Sequence, residues 1–510
     1  MKHPRGNCTN YPYERKTMKS FFETPETIAN KSTGGWLLFI LIAVLLLINS
    51  SYGQVISLKT IPVATGDQFL LFPSQNLGMG GISISLADSL LDHWINPAKG
   101  AQIKTSQVSS SPVYYRIGNG YGNARSMPFA LLWTQNQWFG GISIALQAMN
   151  SADNQNPWNS GISTLSGNIS ENRYFAGFLG KRFKNTSIGV GIYQAALSAR
   201  DGVDLLYSDS EKIEQKGDIL DVRLGLSRQG LGGSHQELML IRNELDMTHK
   251  VTYQFWGWER FDERIETNLD HTITLGMHTG FSAPLNDRGW KYGGIFTVNT
   301  KSHPKIPNYE IMNIPRDPGN TLAFNLGGGL SKRDGLNSFG IDLIYEPITS
   351  NTWAAADTYM VNSEQELIRP GDKTIENDFE FSNWVLRTGL GWQNQNRGFQ
   401  LGLQMRNIHY WLDQRDYVAV TDRKQEEYWV EWTTTWGLTL EYSDFTIRYS
   451  GRTTMGTGRP GVDTQWLRFG VLEDGMSASG DFIIAPSDDL TLQEARVMTH
   501  QISISLPIGN

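Results

Sequence analysis

The residues whose chemistry could support catalysis or metal binding are spread thinly along this chain. Its nine histidines include no pair four positions apart, the spacing at which two imidazoles on one helix face bind a metal ion. Paired carboxylates at 262–263 and 426–427 fall in predicted loops, where solvation is their usual role. The glycine-rich stretch 118–122 precedes no predicted helix, so it does not predict a phosphate-binding loop. We therefore expect no metal site, no cofactor and no enzymatic activity.

A second set of charged residues lies in the middle of segments that otherwise alternate apolar and polar side chains. Its members are Arg223, Asp342, Arg387, Arg406, Glu441, Arg448 and Arg468. In one interpretation these residues pair with one another inside a lumen and brace it. In the other, unpaired arginines bind an anionic head group, such as a carboxylate, through charge-assisted hydrogen bonds. The residue types leave both interpretations open.

Strict alternation over segments of about ten residues predicts the β-strands that carry these charges. In the segment 399–406 every second residue is Phe, Leu, Leu or Met, and the residues between them are Gln, Gly, Gln and Arg. The segments 142–147, 273–278, 445–450 and 501–508 repeat the pattern. Alternation of this kind indicates strands with two different environments. A soluble β-sandwich buries the apolar face against a second sheet, whereas a transmembrane barrel turns it to lipid and keeps a polar lumen.

Three features favour the transmembrane barrel. Full charges lie mid-strand, where a water-filled lumen tolerates them. Aromatic residues lie near strand ends, as interfacial girdles require; they are Trp133, Trp138, Trp384, Trp392, Trp436, Tyr442 and Tyr449. Tight turns alternate with long polar loops; the turns are 136–137 and 443–444, and the loops are 149–170, 301–319, 348–378 and 412–428. We predict an all-β protein, a transmembrane antiparallel β-barrel of about 14–16 strands.

Two segments of the predicted barrel are harder to interpret. The segment 235–270 fits either a long strand pair or one strand followed by a loop. The segment 452–461 is rich in glycine and threonine and is interpreted as a loop.

The first 53 residues predict export. Residues 36–48 are apolar and uncharged, but a membrane-spanning helix needs about 20 such residues. Basic residues precede this run, and residues 51–53 place small side chains at the −3 and −1 positions of a cleavage site. We predict a signal peptide over residues 1–53 that is cut before Gln54. An uncleaved anchor helix is the alternative.

Composition agrees with an exported β-protein. Charged residues make up 19% of the chain, below the usual quarter, while glycine (52) and aromatic residues (11%) are abundant. The one cysteine, Cys8, would leave with the signal peptide if translation starts at Met1, and would not be translated if the start is Met18. The net charge is −7 and no basic tract occurs, so nucleic acid is not an expected partner.

Residues 54–103 differ from the strands that follow. The order Asn-Leu-Gly-Met-Gly-Gly, then Leu-Ala-Asp, then Asn-Pro-Ala occurs between residues 76 and 98. Asp88 is expected to cap a short helix that Pro97 ends, and the Asn96 side chain to close its own turn. About fifty residues are too few for an independent core. We predict that residues 54–103 form a plug inside a barrel made by residues 104–510.

This motif order resembles the amino-terminal hatch of the FadL-type outer-membrane transporters of hydrophobic compounds. The Gly-Met-Gly-Gly and Ala-Asp pieces are more similar to Bacteroidota relatives, the PorV and PorQ proteins of the type IX secretion system. The residues that carry the resemblance are Gly78, Gly80, Gly81, Asp88, Asn96, Pro97 and Ala98. It covers about 25 residues, and the family barrel has 14 strands.

The resemblance implies a barrel in the outer membrane of a Gram-negative, Bacteroidota-like organism, in contact with outer-membrane lipid. It implies a passive channel for a small hydrophobic, fatty-acid-like compound, gated by the hatch. The alternative is a component of a type IX-like secretion or surface-attachment machinery, whose outer loops bind a protein partner.

Overall fold

A computed structural model describes residues 55–150, 169–207, 210, 212–256, 261–303, 319–356, 358–461 and 491–508. The predicted signal peptide (1–53), Gln54 and Arg468 lie outside these residues. Among the described residues, no helix is long and apolar enough to span a membrane.

Nineteen strands are described. They are β1 Gln107–Ser110, β2 Val113–Ile117, β3 Asn123–Gln135, β4 Trp138–Asn150, β5 Ile169–Phe183, β6 Thr186–Leu197, β7 Lys212–Gln229, β8 His235–Trp256, β9 Phe261–Pro284, β10 Trp290–Ser302, β11 Gly319–Asp334, β12 Asn337–Ala355, β13 Met360–Val361, β14 Leu367–Ile368, β15 Lys373–Gln393, β16 Arg397–Asp416, β17 Thr421–Glu441, β18 Thr446–Gly461 and β19 Thr491–Pro507.

The sheet closes into a barrel. Each long strand pairs antiparallel with the next, and β19 returns to pair with both β1 and β2. The strands β1 and β2 both lie between β19 and β3, in one continuous register. They are one barrel strand interrupted at Pro112, which has no N–H to donate to the ladder. With β13 and β14 forming a separate small hairpin, the described barrel has sixteen strands, as the sequence predicted.

The outer surface of the barrel carries an apolar band. Outward positions of β3 to β6 and of β15 to β19 hold large exposed apolar side chains; Leu146 is 66% exposed and Leu390 is 62% exposed. Inward positions of the same strands are buried and include Ser143, Gln147 and Thr435. This polarity is the reverse of a soluble domain and fits a wall that faces lipid. The band lies at the rim of short turns, which we call the inner rim and assign to the periplasmic side.

Two predicted loops are shorter than expected, with bounds that were wrong on both sides. The segment 348–378 contains the end of β12 and the start of β15, and 412–428 is strand on both sides of a turn at 417–420. Strand pairing continues there, for example between Asn351 and Asp378. The strands extend beyond the apolar band, so their outward side chains are polar. Without apolar outward residues, these strand ends do not show the alternation by which a membrane strand is predicted.

Two further segments are settled by the pairing. The segment 452–461, interpreted as a loop, belongs to β18 and pairs with β19 across a register shift after Thr454. The ambiguous segment 235–270 is a strand pair, β8 with β9. The other two predicted loops, 149–170 and 301–319, fall largely outside the described residues.

Residues 55–103, called here the N-terminal segment, contain little regular structure. A 3₁₀ turn covers Leu77–Met79, the helix α1 covers Asp92–Ile95, and a second 3₁₀ turn covers Pro97–Gln102. The helix is shorter than predicted, because Asp88 accepts hydrogen bonds from the amides of Leu90 and Leu91 in a turn that precedes it. The segment contacts inward-facing residues of strands around the barrel.

Candidate functional site

In the inner half of the lumen, the backbone of the N-terminal segment packs directly against inward-facing glycines of the barrel wall. A Cβ atom added to Gly402 would lie 2.2 Å from the amide nitrogen of Gly80. One added to Gly389 would lie 2.4 Å from the carbonyl oxygen of Met79. Backbone atoms of the segment approach Gly189, Gly225 and Gly293 in the same way, 2.6 to 2.9 Å from an added Cβ. Glycine is needed at these inward positions because no side chain fits between the two backbones.

Hydrogen bonds fix this approach. The Thr435 hydroxyl donates to the carbonyl of Gly78 at 3.0 Å and accepts from the amide of Gly80 at 2.9 Å. Gly80 and Gly81 have φ of 75° and 72°, a left-handed conformation that favours glycine. The Gly-Met-Gly-Gly motif therefore forms a turn that touches the wall with its main chain.

Asp88 organises the centre of the segment. Its buried carboxylate accepts hydrogen bonds from the Ser74 hydroxyl at 2.6 Å and from the amides of Gln75, Asn76, Leu90 and Leu91 at 2.9 to 3.1 Å. These donors lie on both sides of the Gly-Met-Gly-Gly turn. One carboxylate therefore joins two stretches of chain that have too little apolar surface to hold each other.

Asn96 connects the segment to the wall. Its side-chain oxygen accepts from the amide of Ala98 at 3.1 Å, which closes the predicted turn. Its amide group donates to Glu237 at 2.9 Å. Pro97 packs against the wall at Gly189 and Gly191. The tripeptide thus combines a local turn with a wall contact.

A buried ionic cluster surrounds this turn. The Lys99 ammonium lies 2.9 Å from Glu237 and 3.5 Å from Asp92. Burial raises the pKa of Asp92 to about 6, against the opposing charge of Lys99. Burial alone would lower the pKa of Lys99, but the carboxylates of Asp92 and Glu237 raise it above its ordinary value. Burial lowers the pKa of the neighbouring His93 to about 3, so that imidazole is neutral at pH 7.

The predicted lumen charges that the structure describes all have partners. Asp342 accepts from the amides of Ser83 at 2.8 Å and Ile84 at 3.2 Å, and Arg387, opposite it in register, donates to the carbonyl of Gly81 at 3.4 Å. Arg223 pairs with Asp221 at 2.6 Å and donates to the carbonyl of Ile95. These contacts connect the wall to the N-terminal segment.

The other predicted charges pair within the wall. Arg406 lies 3.3 Å from Glu346, and Arg448 lies 3.7 Å from Glu441. The geometry therefore fits the bracing interpretation better than an open anion site, although a role in head-group binding stays a prediction.

The outer half of the lumen is lined differently. Here the first residues of the N-terminal segment place apolar side chains among inward-facing apolar residues of the wall. Ile56 joins Ala323, Ile348, Phe379, Phe381, Tyr410 and Leu412 in one cluster. The rings of Phe381 and Tyr410 are 5.2 Å apart, and the Tyr410 hydroxyl donates to the carbonyl of Thr60 at 3.0 Å. A second cluster contains Ile61, Val63 and Ala64.

Ion pairs and a lysine hold the same stretch. Lys59 pairs with Glu431, and Arg452 pairs with Asp67. The ammonium of Lys301, buried inside the wall, donates to the carbonyl of Ile56.

The sequence analysis did not identify the residues that line the inner half of the lumen or those that line its outer half. The inward glycines were visible as small residues in the alternating pattern. The residues around them in the sequence did not predict that another stretch of backbone packs against them. Phe379 and Phe381, two positions apart, and Tyr410 and Leu412, also two apart, carry a usable signal. Each pair places two apolar side chains on one strand face beyond the predicted membrane segment.

One further group of possible metal ligands lies outside the lumen. Glu244, Asp246 and His271 are within reach of a common cation on the outer face of β8 and β9. Arg242 already pairs with Glu244 at 2.8 Å, and His271 hydrogen-bonds Asp246. The three side chains come from two strands, so spacing along the sequence did not reveal them.

Comparison with known proteins gives no match to a family model or a curated protein and many matches to solved structures. A monoaromatic hydrocarbon channel, CymD, matches with a TM-score of 0.34 and 10% identity over 88% of this chain and 99% of its own. The toluene transporter TbuX of Ralstonia pickettii matches with a TM-score of 0.32 and 10% identity over 88% and 100%.

A bacterial polysaccharide outer membrane secretin matches with a TM-score of 0.36 and 9% identity over 79% of this chain and 99% of its own. All three similarities have TM-scores below 0.4. The finer resemblance to the PorV and PorQ branch stays a prediction.

Closed antiparallel barrels with an outward apolar band, short turns at one rim and long connections at the other are typical of outer membranes. The chain is an outer-membrane β-barrel. Its lumen is wide enough in principle for an aqueous channel, since barrels of 16 strands leave one when empty. What the lumen passes therefore depends on what fills it.

Proposed function

We propose that this protein is a passive channel for small hydrophobic compounds and that the N-terminal segment closes it. The observation that carries the proposal is the apolar lining of the outer half of the lumen. A channel for polar solutes has a polar interior. Here Phe379, Phe381 and Tyr410 face inward beside Leu412, and residues of the chain itself fill the space between them.

The N-terminal segment supplies the closure. Its inner part, from Gln75 to Gln102, contacts strands on opposite sides of the barrel, from Gly189 on β6 to Gly402 on β16. Its outer part places Ile56 in the aromatic cluster. A compound that enters from outside first meets the apolar side chains of the outer half. It then meets the backbone of the N-terminal segment that packs on the glycines of the inner half. Passage requires the segment to shift or a path to open beside it.

The test is binding of an apolar probe by the purified full-length barrel. We expect N-phenyl-1-naphthylamine to bind at a saturable site and toluene to displace it. Replacing Phe381 by Ser removes aromatic area from the site, and we expect the affinity to fall by at least about tenfold, equivalent to about 1.4 kcal/mol. Phe399→Ser is the matched control, because Phe399 is exposed on the lipid face.

Two results would contradict the channel proposal. One is a probe signal that never saturates in the wild type, which is partition into detergent. The other is equal affinity in the two variants, which places the site on the lipid face. Uptake of toluene by proteoliposomes, compared with glucose uptake, then separates a channel from a binding protein.

A second function has one observation in its favour. Outside the apolar band, the outer wall of β10 to β17 encloses a groove of about 1350 Å³. Its six carboxylates outnumber its three cations, Lys301, Arg415 and Lys424; the carboxylates are Glu376, Asp378, Glu380, Asp413, Asp422 and Glu426. Such a surface suits a basic protein partner, as a secretion or surface-attachment component would need. Native mass spectrometry of the protein from outer membranes distinguishes the two functions by a co-purifying apolar molecule or a stoichiometric protein.

A further inference from the structure

Four arginines form a patch on the outer wall of the barrel, away from the lumen. Arg496 on β19, Arg116 on β2, Arg125 on β3 and Arg173 on β5 all face outward and are exposed. Met498 lies directly opposite Arg116, and Tyr114 directly opposite Arg125. Arg116 therefore has Arg496 and Arg125 as its diagonal neighbours on the two flanking strands, about 7 Å away.

All four arginines lie at one height. Each is nine to eleven residues from the end of its strand at the inner rim; those ends are Pro507, Gln107, Gln135 and Phe183. Ten residues of a strand tilted by about 40° rise roughly 25 Å, which is the height of the apolar band of such barrels. The arginines thus lie at the outer edge of that band, at the level of lipid head groups.

Apolar side chains continue the patch towards the membrane. Below the arginines lie Met127, Phe129, Ile144 and Phe175, each at least 42% exposed. Acyl chains that contact these residues would bring their head groups to the guanidinium groups. Head groups at β10 to β17 would meet mostly carboxylates, which line the groove there.

No described carboxylate lies within ion-pair distance of these arginines. The nearest outward acids along the strands, Glu171 and Glu494, lie two positions farther from the membrane. Like charges at this distance repel one another, so an anionic ligand would relieve the repulsion between Arg116 and its neighbours.

We propose that this patch binds the phosphate of an outer-leaflet glycolipid of the lipid A class. Guanidinium groups bind phosphate through paired hydrogen bonds that ammonium groups do not reproduce. The exposed apolar side chains below them bind the acyl chains of the same molecule. The site is independent of the lumen and of the proposed channel function.

The experiment measures binding of bisphosphorylated lipid A to the purified full-length protein in detergent, by native mass spectrometry and titration. The test variant replaces Arg116, Arg125, Arg173 and Arg496 by Gln. The control variant replaces Arg242, Lys212, Lys216 and Lys250 by Gln, which removes the same charge from exposed outward positions of β7 and β8. Retention of heat-modifiable migration shows that each barrel is folded.

We expect the test variant to bind lipid A at least tenfold more weakly than the wild type, and the control variant to bind it within twofold. The corresponding Lys variant should be intermediate, because it keeps charge and loses the paired hydrogen bonds. Dephosphorylated lipid A should bind weakly to the wild type, and 10 mM inorganic phosphate should not displace lipid A, since the acyl contacts are part of the site.

Three outcomes would overturn the proposal. Equal lipid A affinity in test and control variants shows that the arginines are ordinary interfacial anchors. Equal binding of dephosphorylated lipid A shows that phosphate is not recognised. Loss of an acidic protein partner from the test variant, with lipid A binding unchanged, assigns the patch to a protein instead.

Discussion

The inner and outer halves of the lumen hold the same N-terminal segment by opposite means. In the inner half, backbone lies on backbone, as at Gly402 and Gly80. In the outer half, side chains such as Ile56 pack among aromatic rings. A wall glycine on which this backbone packs, called here a glycine seat, depends on shape. A Cβ at that position would meet backbone atoms that cannot move away. An apolar cluster depends on buried area and tolerates side chains of similar volume. We expect the inner half to fix the segment in place and the outer half to add to its stability.

Removing the segment should have the largest effect. Deletion of residues 55–103 should leave a folded barrel that passes small sugars, because sixteen strands enclose an aqueous lumen. Deletion of residues 55–72 alone should leave the inner half seated and the barrel nearly tight. The measurement is swelling of proteoliposomes in sugars of graded size. If the longer deletion folds and stays tight, residues 55–103 are not the closure.

Filling a glycine seat should have the next largest effect. Leu in place of Gly402 or Gly389 puts a side chain where the Gly80 amide or the Met79 carbonyl lies, an overpacking that costs at least about 1–3 kcal/mol. We expect an intermediate leak in the same swelling assay. Gly328→Leu is the control, since a Cβ added to Gly328 on β11 would have no heavy atom within 4 Å. Similar leaks from all three variants would remove the distinction between seat and wall.

A change in the outer half should act locally. Ile56→Ser should loosen residues near it, because burial of an isoleucine contributes about 2–5 kcal/mol, and should leave the inner half unchanged. The measurement is the labelling rate of a single cysteine at Ser57 or at Ser83, in a Cys8→Ser background. We expect faster labelling at position 57 only. Faster labelling at both positions would show that the halves act as one unit.

Protonation should give the smallest effect. Burial raises the pKa of Asp92 from 3.8 to about 6 in the seated segment. Between these values the seated state holds a proton that the released state lacks, so seating is strongest at low pH and weakens as pH rises through 6. The Gly402→Leu barrel should therefore leak more at about pH 7.5 than at about pH 5. Adding Asp92→Asn should abolish this difference, and a difference that persists would show that another group is responsible.

The wall was more predictable than its contents. Alternation in segments such as 399–406 identified the strands, because lipid and lumen demand opposite side chains on the two faces. The rule failed for 348–378 and 412–428, where the strands leave the membrane and the outward residues become polar. The turn at Asn96 was predictable because its hydrogen bond spans two residues. The contact of Asn96 with Glu237, 141 positions away, was not.

The sequence by itself determined the all-β class and the motif of residues 76–98. It also determined which side chains of a strand face lipid and which face the lumen. All three depend on neighbours along the chain. Only the tertiary structure decided that Asp342 meets Ser83, that glycines of five different strands contact one backbone, and that four arginines lie at one height. The physical reason is closure of the barrel. Register and shear bring together residues hundreds of positions apart, and no local periodicity records which residues those are.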